Sequence, residues 1–101
     1  MALERWGFIY TGRGNDPART IARIGSDACL LIAVGVERPE QGIEVARWLV
    51  AEGVQLIELC GGFGPVWTGK IIEAIGGAVP VGSVGYGPEA IDQMHAIFSG
   101  G

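Results

Sequence analysis

Apolar runs and amphipathic segments alternate along the chain, and this alternation predicts its secondary structure. Four short runs rich in aliphatic and aromatic residues predict β-strands. The run at residues 28–36 is continuously apolar without alternation, which is typical of a strand covered on both faces. Between the four runs lie segments with apolar residues three or four positions apart, the spacing of a helix that buries one side. The strands are predicted at residues 6–10, 28–36, 54–60 and 79–86, and the helices at 39–52, at 65–75 and from 87 onwards.

The order of these elements predicts an α/β fold. Strands that alternate with helices form parallel βαβ units with right-handed crossovers. We therefore expect a small open sheet of four parallel or mostly parallel strands with flanking helices, flavodoxin-like or Rossmann-like. Residues 18–24 are interpreted as a short helix or an irregular segment. A ferredoxin-like α+β fold is the alternative if the first two strands form a hairpin instead of a crossover.

Length and composition predict one domain that associates with itself. The chain has 101 residues, which is within the range of a single domain. It is 49% hydrophobic and 18% charged, and its mean hydropathy is +0.35. A domain of this size leaves much of its surface exposed. Part of the apolar content is therefore expected to form an interface in a homo-oligomer.

Charge, apolar run length and cysteine spacing argue against several classes of function. A net charge of −4 with scattered arginines disfavours nucleic acid as a partner. The longest apolar run has nine residues, whereas a membrane helix needs about 20. Because the N-terminus also lacks a secretion signal, we expect a cytoplasmic protein without a membrane partner. One histidine and two cysteines show no metal-ligand spacing, so no metal is predicted.

The strand at residues 54–60 ends in two reactive side chains. Because side chains alternate along a strand, Glu58 and Cys60 share one side with apolar neighbours. A carboxylate buried there needs a partner, and a thiol beside a helix start can become nucleophilic. The pair is therefore a candidate for catalysis, as nucleophile and base or as two acid–base groups. Alternatively, Cys60 only packs, and Glu58 binds an arginine or backbone amides.

A glycine-rich turn follows this strand and opens the next helix. Gly61, Gly62, Phe63 and Gly64 would let backbone amides approach a ligand beside the positive end of a helix. A small anionic metabolite suits this place, and Lys70 in the following helix would add positive charge. The turn matches neither the P-loop nor the dinucleotide-binding glycine pattern, so no cofactor is predicted. The alternative is a tight strand-to-helix turn without a ligand.

Other strand ends are expected at the same edge of the sheet. Carboxyl ends of parallel strands meet there; Tyr10 and Thr11 close the first strand, and Tyr86 closes the last. These residues would place hydroxyl groups around one crevice with Cys60. His95, on the apolar stripe of the last helix, is expected to be a packing or interface residue and not a catalytic one.

Four segments of the sequence resemble a known family. They are WGFIYTG at 6–12, VGV at 34–36, EGVQLIELCGGFGP at 52–65 and IGGAVPVG at 75–82. Together they are similar to a family of small prokaryotic proteins of about this length and of unknown function, which share a VQLIELCGGFGP core. The resemblance covers nearly the whole chain. It implies a single-domain α/β protein without an established activity, and it assigns no site residue.

Two classes of function therefore stay open. The first is a small-metabolite or anion-binding site around residues 58–65, with or without catalysis. The second is an oligomeric structural or regulatory module without catalytic activity, which the apolar composition and the three tryptophans favour.

Overall fold

The computed structural model describes residues 2–99, whose strands form a five-stranded sheet. The strands are β1 Arg5–Thr11, β2 Ile21–Gly25, β3 Leu30–Val36, β4 Ile57–Leu59 and β5 Val81–Ser83; the helices are α1 Gly42–Ala51, α2 Gly64–Ala74 and α3 Ile91–Phe98. Short 3-10 turns at Pro39–Gln41 and Pro88–Ala90 precede α1 and α3. The strand order is β2-β3-β1-β4-β5. The β2–β3 pair is antiparallel, and the other neighbouring strands are parallel.

The expected α/β fold with an open, mostly parallel sheet is confirmed, but the sheet has five strands and not four. Its parallel strands follow the order β3-β1-β4-β5, which is that of a flavodoxin-like sheet. β1 and β3 lie parallel, with Trp6 opposite Leu31 and Tyr10 opposite Gly35. Because they are parallel, they do not form the hairpin that would favour a ferredoxin-like fold; β2, antiparallel to β3, lies in the connection between them.

The additional strand, β2, lies in the segment that was expected to be helical or irregular. It forms a hairpin with β3 because the turn between them is built from glycine and serine. Gly25 has a φ of +145°, and a Cβ there would lie 2.2 Å from the carbonyl oxygen of Cys29, so the turn requires glycine. The Ser26 hydroxyl accepts hydrogen bonds from the N–H groups of Ala28 and Cys29, at 3.2 and 3.3 Å.

Helices α1 and α2 pack on one face of the sheet, which we call the covered face. Gly7 lets α1 approach β1 closely, because a Cβ at this position would lie 2.8 Å from Cδ1 of Leu49. The strand residues at the centre of this face are at most 1% exposed: Ile9, Ile32, Val34, Ile57 and Leu59. The hydrophobic core therefore lies between this face and the two helices.

The opposite face, which we call the open face, carries no helix in the described part of the chain. The strand register places on it Trp6, Phe8, Tyr10, Ala22, Ile24, Leu31, Ala33 and Glu58. Right-handed crossovers in opposite directions lie on opposite faces of a sheet. A helix between β1 and β3 would thus cover this face, but β2 occupies that connection. The prediction that the strand at residues 28–36 is covered on both faces is therefore wrong for the single chain.

Helix α3 lies beside the sheet and packs on neither face. None of its residues is buried, and Ile91 and Phe98 are 64% and 73% exposed. The radius of gyration is 14.1 Å, with extents of 40 × 25 × 25 Å, above the ~13 Å of a compact 100-residue domain. This elongation fits a helix that stands off the sheet. Across residues 2–99, no helix has the length and apolar character that crossing a membrane requires.

Candidate functional site

The carboxyl ends of β1 and β4 bring a hydroxyl group and a thiol together. Ile9 pairs with Leu59, and the N–H of Cys60 donates to the Ile9 carbonyl oxygen at 3.1 Å. This pairing sets Thr11 beside Cys60. The backbone N–H of Thr11 donates to the sulfur at 3.3 Å, and Oγ1 of Thr11 lies 3.5 Å from it. The thiol is therefore held in one orientation by two groups of the neighbouring strand.

Two glycines complete this edge of the sheet, and a side chain at either position would come close to a neighbouring side chain. A Cβ at Gly62 would lie 2.3 Å from Oγ1 of Thr11, and one at Gly61 would lie 3.0 Å from the ring of Tyr86. Within residues 2–99, the N–H groups of Gly61 and Gly62 donate no hydrogen bond. These two donors precede the N-terminus of α2, where the helix dipole is positive.

These groups open into a cavity of about 490 Å³, which we call the carboxyl-edge cavity. Its lining consists of Thr11, Cys60, Gly61, Gly62, Tyr86, Met94 and Phe98. Strand ends form one wall and α3 forms the other. Met94 and Phe98 were not predicted as site residues from the sequence. Their helical stripe is visible in the sequence, but it does not tell a packing surface from a cavity wall.

Glu58 lies apart from this cavity. It is exposed on the open face, beside a smaller cavity of about 250 Å³ that Gly82, Ser83 and Val84 also line. The expectation that Glu58 is a buried carboxylate among apolar neighbours is therefore wrong, because its side chain is exposed. Its physical cause is the one-sided helical layer, which buries Ile57 and Leu59 and leaves the residue between them in solvent. The carboxylate and the thiol thus do not share one site.

Four other candidates also lie outside the cavity lining. The ring of Tyr10 stacks on Phe8 at 6.2 Å, on the open face. Phe63 is 3% exposed in the core. Gly64, with a φ of +68°, begins α2. The Nζ atom of Lys70 lies 4.3 Å from the centre of the Trp67 ring. This cation–π contact places the charge of Lys70 at the Trp67 ring and not in the cavity lining. The candidates that the structure brings together are Thr11, Cys60, Gly61, Gly62 and Tyr86.

A second cavity of similar volume, about 500 Å³, lies between α1 and β2, on the covered side. Its lining is mainly aliphatic and aromatic, including Ile21, Val34, Val45 and Trp48. It contains no thiol, and its charged group is the Glu44 carboxylate, which already contacts Arg47. Within residues 2–99, no group of three or more histidine, cysteine, aspartate and glutamate side chains is arranged to hold a metal ion. Of these two cavities, the carboxyl-edge cavity is therefore the one with a thiol in its lining.

Comparison with known proteins identifies a family but no activity. No curated protein matches the chain, and no solved structure matches it either. One family model, described as a family of unknown function (DUF6506), matches residues 4–99, which is almost the whole chain. The protein with this one-sided sheet and its carboxyl-edge cavity is therefore a member of the DUF6506 family.

Proposed function

We propose that the protein binds a small metabolite with an apolar body and an anionic end in the carboxyl-edge cavity. One observation carries the proposal: a single cavity joins the Thr11–Cys60 pair and two free glycine amides to an aromatic and thioether wall. Ligand sites are commonly mostly apolar with a few converging polar groups, and they occur outside the carboxyl ends of parallel strands. The cavity combines both properties.

The two ends of the cavity favour different parts of a ligand. The N–H groups of Gly61 and Gly62 and the nearby start of α2 suit an anion, because both present positive partial charge. The opposite wall, made of Tyr86, Met94 and Phe98, suits an apolar chain or ring. No lysine or arginine lines the cavity among the described residues. A single carboxylate therefore fits this site better than a phosphate with a higher charge.

The role of Cys60 follows from the same lining. Its sulfur accepts a hydrogen bond from the Thr11 N–H and lies beside the Thr11 hydroxyl. Because Cys60 also lines the cavity, a ligand bound there would contact the thiol. Neither a carboxylate nor an imidazole lies among the described residues of the lining, so no side chain there is suited to remove the thiol proton. Binding is therefore the function that the site supports best.

Alkylation of the two cysteines tests this proposal. Both are free and partly buried, so Cys29 in the β2–β3 turn is an internal control for Cys60. We expect iodoacetamide to modify Cys60 in the folded protein, and 3-phenylpropionate at millimolar concentration to slow that reaction without affecting Cys29. The uncharged 3-phenylpropanol should protect less, since it lacks the carboxylate.

Two variants make the test specific for the site. Gly62→Ala should abolish protection, because its methyl group would occupy the space beside the Thr11 hydroxyl. Gly69→Ala, where no atom lies within 4 Å of the added methyl, should leave protection unchanged. Equal protection of both cysteines, or amide NMR shifts confined to the α1–β2 cavity, would contradict binding at the carboxyl edge.

A further inference from the structure

The open face is the largest apolar surface that the sheet leaves without a covering element. Its aromatic side chains, Trp6, Phe8 and Tyr10, follow one another along the same side of β1. Ile24, on the adjacent hairpin, is 57% exposed. Contiguous apolar surface of this kind on a small protein marks an interface.

Helix α3 presents a second apolar surface of matching character. Ile91, Met94, His95 and Phe98 are spaced at helical intervals and form one stripe, with Ile97 at its border. Ile91, Ile97 and Phe98 are each more than 60% exposed. Met94 and Phe98 of this stripe also line the carboxyl-edge cavity, so the part of α3 that remains for a partner is centred on the exposed Ile91 and His95.

The size of the open face suits a dimer interface. Five strands about 4.8 Å apart and up to seven residues long give it roughly 20 × 20 Å, or about 400 Å² in projection. Its accessible surface exceeds this projection because side chains stand out from the sheet, and a stable dimer buries about 800 Å² of accessible surface per partner. The open face therefore supplies a large part of the area that a dimer needs, and α3 from each copy would add to it.

Charge gives the same pairing. Glu58 is the carboxylate that the strand register places on the open face, and burying it without a partner would be costly. His95 is the basic side chain of α3 and lies on its apolar stripe. In a two-fold dimer each contact is made twice, so a pairing of the two surfaces would bring Glu58 of each copy to His95 of the other.

We propose that the open face is covered by a second copy of this chain. In the resulting two-fold dimer, α3 of each copy contacts the sheet of its partner. The assembly then has the second helical layer that the β1-to-β3 connection does not provide. Ile24 and Ile91 do not line the carboxyl-edge cavity, so their substitution tests the interface separately from ligand binding.

Sedimentation velocity of the full chain tests the dimer. At micromolar concentration we expect a species of twice the 10.6 kDa chain mass. Ile91→Asp on the helix and Ile24→Asp on the sheet should each weaken dimerisation by at least about 100-fold, because each removes an apolar side chain twice from the interface. Val66→Asp is the matched control, since Val66 on α2 is 66% exposed and Ile91 is 64% exposed; it should remain dimeric.

Charge reversal tests the assigned contact. Glu58→Lys and His95→Glu alone should each weaken the dimer at least about tenfold, and the double variant should restore wild-type association. Far-UV circular dichroism must show that each variant is folded, and both exposed positions should tolerate the change. A monomeric wild type, or a Val66→Asp variant that dissociates as readily as Ile91→Asp, would overturn the dimer. Failure of the double variant to restore association would overturn the Glu58–His95 contact.

Discussion

The two faces of the sheet are formed by the same strands but differ in solvent exposure. On β4, Ile57 and Leu59 are at most 1% exposed under the helices, whereas Glu58 between them is exposed. On β1, Gly7 and Ile9 are buried, whereas Trp6, Phe8 and Tyr10 stay half-buried. The comparison shows that an apolar run without alternation does not require two helical layers in one chain. It is equally compatible with one helical layer and one association surface.

The neighbours Ile57 and Glu58 give the sharpest test of this difference. In an Ile91→Asp background, which separates the proposed dimer, Ile57→Ala should lower the free energy of unfolding by about 3–4 kcal/mol, because it leaves a cavity in the core. Glu58→Ala should change it by at most about 0.5 kcal/mol, as is usual for an exposed side chain. Urea denaturation measures both. Equal losses would mean that the open face is packed within the single chain.

Two glycines, one in α1 and one in α2, allow a comparison between the buried and the solvent-facing sides of the helices on the covered face. A methyl group at Gly42 would lie 2.7 Å from the Phe63 ring, whereas one at Gly69 meets no atom within 4 Å. Gly42→Ala should therefore destabilise the protein by about 1–2 kcal/mol through overpacking. Gly69→Ala should stabilise it by about 0.5–1 kcal/mol through helix propensity. Opposite shifts of the thermal midpoint would support this; a gain in stability at both sites would contradict it.

Gln55 forms hydrogen bonds that hold the amino end of β1, the strand that carries Trp6, Phe8 and Tyr10 on the open face and Ile9 on the covered face. Its Oε1 atom accepts hydrogen bonds from the N–H groups of Glu4 and Arg5, at 2.6 and 3.0 Å, and its Nε2 donates to the Ala2 carbonyl at 3.1 Å. Gln55→Ala should cost about 1–2 kcal/mol and speed amide exchange at Glu4 and Arg5. Gln93→Ala, at an exposed position of α3, is the control. Unchanged exchange would show that Gln55 does not hold the strand.

The smallest effect is expected at the Glu44–Arg47 pair on the outer side of α1. Both side chains are largely exposed, at 78% and 51%, so solvent screens their attraction. A double-mutant cycle with alanine should give a coupling of at most about 0.5 kcal/mol. A coupling well above that, measured by urea denaturation, would show that the outer side of α1 is covered.

Much of this fold follows from sequence pattern, and the exceptions have physical causes. The helical spacing that begins at Pro39 and the run through Ile57 predict α1 and β4, and the alternation of strands with helices predicts a mostly parallel sheet. β2 escapes such prediction because its residues, Ile21–Gly25, show no simple alternation, and its pairing depends on the turn at Gly25. Pairing with β3, and not the local sequence, therefore determines that this segment is a strand, as is often the case for short strands.

The candidate site likewise contains residues that could be predicted from the sequence and residues that could not. Thr11, Cys60 and the two glycines were predictable together, because carboxyl ends of parallel strands meet at one edge. Glu58 was misplaced because alternation tells which residues share a face but not whether a helix covers that face. Met94 and Phe98 were missed as cavity walls, since the position of α3 depends on the path of the chain after β5 and not on its own pattern.

The short last strand has a consequence for how far assembly can proceed. β5 spans only Val81–Ser83, and Pro80 before it has no N–H to offer a neighbouring strand. Such an edge gives an incoming strand little to pair with, so chains are hindered from adding side by side into a continuous sheet or fibril. The proposed association through the open face would, by contrast, close after two copies. Assembly would then end at a finite particle instead of a growing sheet.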